Sequence, residues 1–193
     1  MSFSAQDAKR LLPPVIAMGL VILLSNIAVG YPIQHTLGGI DLAELLTYGA
    51  LTYPICFLVT DTTNRLYGAA GARKVVYVGF ALGVVLSLVF ADMRIALASG
   101  SAFLIAQLLD VLIFDKLRRG VWWQAPAISS FFGSAVDTGI FFSLAFAGTG
   151  LPWMSWAAGD FVAKLAMIAA LLYPFKLLVA LFPADLREAR ETA

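Results

Sequence analysis

Six stretches of about twenty mostly apolar residues run through this chain, and each is long enough for a helix to cross about 30 Å of hydrocarbon. They are Leu11–Val29, Glu44–Thr62, Lys74–Ala91, Ile95–Phe114, Trp122–Ala147 and Met154–Phe182. The last two exceed the minimum and have room to tilt or kink. Lipid offers the backbone no hydrogen bonds, so each stretch must satisfy its own amides, and a helix does this within itself. Of the 193 residues, 61% are hydrophobic and 13% charged, which lies outside the range of soluble domains. The expected fold is an all-α integral membrane protein, a bundle of six transmembrane helices forming one domain over residues 1–193.

The basic residues supply an orientation, because cytoplasmic connections collect Lys and Arg. With the N-terminus inside, Lys9, Arg10, Arg65, Arg73, Lys74, Lys116, Arg118, Arg119, Arg187 and Arg190 share one side. The opposite connections, Gly30–Ala43, Asp92–Arg94 and Gly148–Trp153, hold only Arg94. This predicts a multi-pass protein of the cell inner (cytoplasmic) membrane with both termini cytoplasmic. A cleavable signal peptide ending near Ala28-Val29-Gly30 is the competing reading of the first stretch. Its apolar run is long for that role, and its removal would break the even topology. Trp122 and Trp123, beside a basic connection, fit an interfacial belt.

Chemistry is constrained by what is scarce. Cys56 stands alone and His35, the one histidine, falls in an outer connection, so neither a cysteine cluster nor a histidine metal site is expected. No phosphate-binding glycine motif occurs, which argues against a nucleotide-driven enzyme on this chain. No basic, aromatic-interleaved surface points to nucleic acid. The tripeptide Asp137-Thr138-Gly139 matches a string of aspartic proteases, but that chemistry needs a second carboxylate about 3 Å away, and Asp160 is expected roughly 6 Å shallower. The protein is therefore expected not to be an enzyme, with no catalytic residue, metal or cofactor; an intramembrane hydrolase is the distant alternative. Pro54 and Pro174 fall within apolar stretches and each leaves one helical carbonyl without its donor, which suits either a packed kink or a cavity wall.

The polar residues inside the stretches sort by depth at 1.5 Å per residue. Asp137 and Lys164 each lie ten residues from an outer end, so both should sit about 15 Å deep, near the midplane, where they can meet. Gln107 reaches about 18 Å, whereas Asn26 and Asp160 lie nearer the outside. Asp61, Asp110 and Arg65 form a group closer to the cytoplasmic surface. A charge facing lipid at the centre costs about 3 kcal/mol, so Asp137 and Lys164 should face the bundle interior or pair. Asp160 and Lys164 are spaced i,i+4 and Gln107 and Asp110 i,i+3, so each pair shares a helix face. Stripes converging from three helices describe a polar cavity; an interhelical clamp is the plainer alternative. For Asp61, Asp110 and Arg65 the alternative is snorkelling to the interface or pairing with charges of the connections there.

Three strings carry a family resemblance: TYGALTYPICFLVTDTTNRLYGAAGARK (Thr47–Lys74), RIALASGSAFLIAQLLDVLIFDKLR (Arg94–Arg118) and WWQAPAISSFFGSAVDT (Trp122–Thr138), followed by Asp160 and Lys164. In order and kind they resemble the queuosine-precursor transporters, also called the vitamin uptake transporter family. The resemblance spans five of the six stretches. It implies import of the 7-deazaguanine bases salvaged for queuosine in tRNA, 7-cyano- and 7-aminomethyl-7-deazaguanine. It also implies a bundle similar to the substrate-binding components of energy-coupling-factor transporters. The short connection Asp92-Met93-Arg94 departs from relatives with a longer segment there. A substrate-binding component or carrier for another purine or vitamin, energised by a separate partner, is the alternative. A homodimer is one open arrangement.

The residue types suit such a base. A guanine-like edge presents an N–H and an exocyclic NH₂ side by side, which one carboxylate accepts, and a carbonyl that takes a donor such as Gln107, Asn26 or Lys164. Tyr53, Phe57 or Phe132 offers a plane for stacking. Asp137 is the first choice of acid from its depth, with Asp61 or Asp110 serving if the site lies nearer the cytoplasm.

Overall fold

The computed structural model describes residues 5–90 and 92–182, with side chains from 9 to 89 and 92 to 182. Ala91, Arg187 and Arg190, which entered the sequence reading, lie outside the described residues. The helices are α1 (Ala5–Ala28), α2 (Tyr48–Thr52), α3 (Ile55–Phe90), α4 (Met93–Leu117), α5 (Gln124–Phe146) and α6 (Trp153–Leu181). Five helical stretches are long and apolar enough to cross a membrane, the second of them running from Tyr48 to Val89. Large apolar side chains such as Leu20, Val85, Leu97, Val162 and Leu181 are exposed, the inverse of a soluble surface and the arrangement lipid requires.

The Tyr48–Val89 stretch is 42 residues long, which as one straight helix would extend about 63 Å, twice the hydrocarbon thickness. Two residues prevent that. Pro54 has no N–H to give the carbonyl of Ala50, so α2 stops and α3 begins at Ile55. Gly68, at φ 76° and ψ 172°, is non-helical within α3, in a region that only glycine occupies without strain. Contacts with α4 show what this break does. Thr60 meets Gln107, Asn64 meets Val111 and Arg65 meets Arg118, so the chain runs parallel to α4 as far as Arg65. Past Gly68, Gly79 adjoins Phe103, and Phe80 and Val84 adjoin Gly100, so it runs antiparallel. The chain reverses at one glycine, where the sequence suggested a connection of about eleven residues, 63–73.

The start of the second expected stretch also moves. Glu44 lies in a 3-10 turn, Leu42–Glu44, capped by the Asp41 side chain, which accepts from Ala43 N at 2.9 Å. The preceding connection carries a small hairpin, β1 (Thr36–Leu37) with β2 (Ile40–Asp41), closed by Gly38 and Gly39 at φ 58° and 85°. Positive φ at both central residues is what a tight two-residue hairpin turn needs.

Packing uses close backbone approaches. A Cβ on Gly79 would lie 2.7 Å from Met18 Cγ, so α1 and α3 meet at that glycine. Met18, Ile22, Cys56, Ala72, Val75, Val76 and Phe103 fill the core among α1, α3 and α4. A second core, Phe114, Ala125 and Phe175, joins α4, α5 and α6, with the two rings edge to face at 6.0 Å. Arg94 donates Nε to the Leu144 carbonyl at 2.9 Å and Nη2 to that of Ala147 at 2.6 Å. The short Asp92–Arg94 connection thus delivers a cation to the C-terminal carbonyls of α5.

Gly68→Ala should destabilise the protein by about 1–3 kcal/mol, because a Cβ is strained at this φ and ψ. Thermal unfolding in detergent checks it; a melting temperature equal to wild type would mean that the reversal does not depend on glycine.

Candidate functional site

One buried lysine organises the middle of the bundle. Lys164, 3% exposed on α6, places Nζ 2.7 Å from Asp137 Oδ2, 2.6 Å from Asp160 Oδ2 and 3.0 Å from Thr138 Oγ1. An ammonium has three hydrogens and no acceptor, so these three oxygens use all of them. Thr138 in turn donates to Asp160 Oδ2 at 2.7 Å, and the Tyr53 hydroxyl donates to Asp137 Oδ1 at 3.0 Å. Lys164 Nζ also stands 5.5 Å from the Tyr53 ring centroid. With both acids ionised, two carboxylates against one ammonium give the group a net charge of −1, shared by α5, α6 and the Tyr53 corner between α2 and α3. Both pairings open to Lys164 in the sequence form at once.

Tyr53 occupies that corner because Pro54 ends α2 just beyond it, which turns its side chain toward α5. Its ring also meets Phe103 edge to face at 6.3 Å. With Asn26, Ser25, Ser87, Ser99 and Phe103, Tyr53 lines a cavity of ≈ 30 Å³ between α1, α3 and α4. Asn26 gives Nδ2 to its own helix at the Ile22 carbonyl, 2.9 Å away. Phe57 is 2% exposed and packs so closely on α5 that a Cβ at Gly133 would lie 2.7 Å from its ring. Phe132 is nearly half exposed and meets Phe131 edge-on at 5.3 Å; no described contact brings it to Asp137.

A second polar group follows the facing sides of α3, α4 and α5. Thr60 Oγ1 lies 3.0 Å from the Cys56 carbonyl and 2.5 Å from Gln107 Oε1, sharing its one hydrogen between them, and among the described residues Gln107 Nε2 is buried without a partner. Asp61 accepts from Ser129 Oγ and Ser130 Oγ, each at 3.2 Å. Asp110 is fully buried, and among the described residues neither of its oxygens has a hydrogen-bond partner. Asn64 donates Nδ2 to the Val111 carbonyl at 3.0 Å, and its Oδ1 is likewise unpartnered. Asp61 and Asp110 therefore do not snorkel. Arg65 reaches the C-terminal end of α4, donating to the Arg118 carbonyl at 2.7 Å and lying 5.5 Å over the Phe114 ring.

The sequence reading passed over Thr60, Asn64, Ser129, Ser130 and Thr138. A signal was present: Ser129, Ser130, Ser134, Asp137 and Thr138 recur at helical spacing and so mark one polar face of α5. Among the described residues no group of three or more His, Cys, Asp or Glu could hold a metal ion.

Residues 47–93 and 86–182 match the family described as "Putative vitamin uptake transporter". The chain is 37% identical to the "Probable queuosine precursor transporter" of Haemophilus influenzae, over 74% of this chain and 73% of that one. It is 33% identical to the "Queuosine precursor transporter" of Escherichia coli, over 84% and 77%. A "Probable queuosine precursor transporter" of Bacillus subtilis is 30% identical over 53% and 57%. No solved structure matches.

Lys164→Met should cost about 3–5 kcal/mol, because it leaves Asp137 and Asp160 without their shared cation. Adding Asp160→Asn should recover part of the loss. Melting temperatures of the single and double variants in detergent measure this, and a stable Lys164→Met protein would show that the lysine is peripheral.

Proposed function

The chain belongs to the vitamin uptake transporter family, and we propose that this multi-pass membrane protein imports the queuosine precursors 7-cyano- and 7-aminomethyl-7-deazaguanine across the inner membrane. The substrate class is carried by the relatives named queuosine precursor transporters, which align over about three quarters of their length. The chain reversal at Gly68 supports six crossings within one domain, since it divides Tyr48–Val89 into two passes. The basic residues Lys9, Arg10, Arg65, Arg73, Lys74 and Lys116–Arg119 then share the cytoplasmic side, with both termini there.

For the base itself we assign the Lys164 network and its surroundings. Asp137 accepts the paired N–H donors of the guanine-like edge, exchanging the Tyr53 hydroxyl for them, while Lys164 holds the carboxylate in place. Gln107 Nε2, a buried donor with nothing to bond, suits the ring carbonyl. Tyr53, at the wall of the outer cavity with Asn26, offers its ring as the stacking plane. The net charge of −1 on Asp137, Lys164 and Asp160 suits the ammonium of the aminomethyl precursor as well as the neutral cyano base. The cavities beside Tyr53 and Asp61, ≈ 30 and ≈ 20 Å³, are smaller than a bicyclic base. Loading therefore requires the helices to part, as transport with a site exposed to each side in turn demands. Nothing in this scheme forms a covalent bond to the substrate.

A bacterium that cannot make the precursor but keeps the later enzymes should recover queuosine in its tRNA at low external precursor when this chain is expressed. Queuosine that stays at the empty-vector level, with the protein present in the membrane, would remove the substrate assignment. Asp137→Asn should weaken binding of the base by about 2 kcal/mol, roughly thirtyfold, because an amide brings a donor where the base also donates. Calorimetry on the folded variant reads this directly; unchanged affinity would make Asp137 a structural clamp.

A further inference from the structure

Asp61 and Asp110 are left over from the scheme above, and their surroundings are unusual. Both are buried, at 2% and 0% exposure, and they lie on the facing sides of α3 and α4, beside the Thr60–Gln107 and Asn64–Val111 contacts. Among the described residues no ion pair joins either one to a cation. The charged groups on the packed elements are engaged elsewhere. Arg65 reaches the Arg118 carbonyl, Arg118 pairs with Asp115 at 3.2 Å, Lys164 holds Asp137 and Asp160, and Lys176 sits 5.1 Å over Trp122. Between Gln124 and Phe146, α5 has no charge but Asp137, and α6 meets this region with Ile168, Leu171, Leu172 and Phe175.

The hydrogen bonds around the pair are lopsided. Ser129 and Ser130 give both hydroxyl hydrogens to Asp61, so that carboxylate is solvated by the protein. Ser129 and Ser130 adjoin Asp110 as well, but among the described residues no donor completes a hydrogen bond to it. Close by, Asn64 has turned its amide N–H toward the carbonyl of Val111, the residue after Asp110, and its Oδ1 is buried and unpartnered. Two carboxyls and two hydroxyls, with the unpartnered amide oxygen of Asn64 one helical turn from Asp61 on α3, are all oxygen groups, and among the described residues the pair has no cation. Two carboxyls held side by side in a low dielectric do not both ionise; they share one proton and keep one negative charge. A cavity of ≈ 20 Å³ lined by Pro54, Phe57, Asp61, Ser130, Ile168 and Phe175 reaches Asp61 from the α6 side, and this is space for something of atomic size.

We propose that the Asp61–Asp110 pair, with Ser129, Ser130 and Asn64 Oδ1, is the site of a coupling cation of unit charge that crosses with the imported base. A proton and a sodium ion both supply that charge to oxygen donors. The inference rests on the transport reading and adds the energy source: filling the pair neutralises it, and the neutral form is the one that can be carried past apolar walls when the helices rearrange. The site adjoins the base site through Thr60, which precedes Asp61 and bonds Gln107, so occupancy of one bears on the other.

The test uses the purified full chain in liposomes, with the membrane potential clamped at zero and labelled 7-cyano-7-deazaguanine as probe. One arm has an inward proton gradient, one an inward sodium gradient at equal pH, and one has neither. Transient accumulation is expected in one of the first two arms and simple equilibration in the third. One cation per base supports roughly tenfold accumulation per tenfold gradient, and the responding arm identifies the cation. Asp110→Asn should lose the gradient-driven excess. Ser129→Ala, which keeps both carboxyls, should raise the cation concentration for half-maximal accumulation severalfold. Equilibration of the probe in all three wild-type arms overturns the cation site and leaves the transporter reading standing, as does full accumulation by a folded Asp110→Asn protein. No entry of the probe in any arm, with folded protein in the liposomes, overturns the transport reading and this inference with it.

Discussion

The ammonium of Lys164 is the contact on which the membrane-embedded polar structure depends. Hydrocarbon makes an unpaired charge so costly that Asp137, Asp160 and Lys164 can exist at their depths only together. The three are contributed by two helices, so the same contact that settles the charges also fixes the register and rotation of α5 against α6. Thr138 and Tyr53 complete the bonding, and Tyr53 brings in the corner where α2 meets α3.

The interruptions in the helices are arranged around this group. Pro54 ends α2 one residue after Tyr53, and Gly68 turns the chain back seven residues after Asp61. Because lipid-exposed backbone must be helical, such breaks occur where protein surrounds them. The Pro54 break sets a side chain into the interior, and the Gly68 reversal returns the chain along α4 without a loop. Gly79 against Met18 and Gly133 against Phe57 let the helices approach closely enough for these side chains to touch, the usual role of small residues between membrane helices.

Two acid groups at different depths have different surroundings. Asp137 and Asp160 have their cation from Lys164, whereas among the described residues Asp61 has only serine hydroxyls and Asp110 has no hydrogen-bond partner. That contrast underlies the separate roles proposed for them, one group holding the base and the other a cation. Gln107 and Thr60 lie between the two. The facing sides of α3, α4 and α5 carry the Asp61–Asp110 group, and α5 and α6 carry the Lys164 group.

Length, apolarity and depth were determined by the sequence alone, because the helical rise is constant and hydrocarbon thickness sets how many residues cross it. Those constants were enough to bring Asp137 level with Lys164 and to separate both from Asp61 and Asp110. Rotation of each helix about its axis was not legible, since it depends on which faces the neighbours offer. Only the tertiary structure decided that Lys164 reaches both Asp137 and Asp160, that Tyr53 meets Asp137 by its hydroxyl, and that Ser129 and Ser130 serve Asp61. The 63–73 segment, with Arg65, Arg73 and Lys74, looked like a polar connection, yet it is helical except at Gly68. A positive φ at one glycine replaces a whole loop there, and hydropathy holds no record of a backbone dihedral.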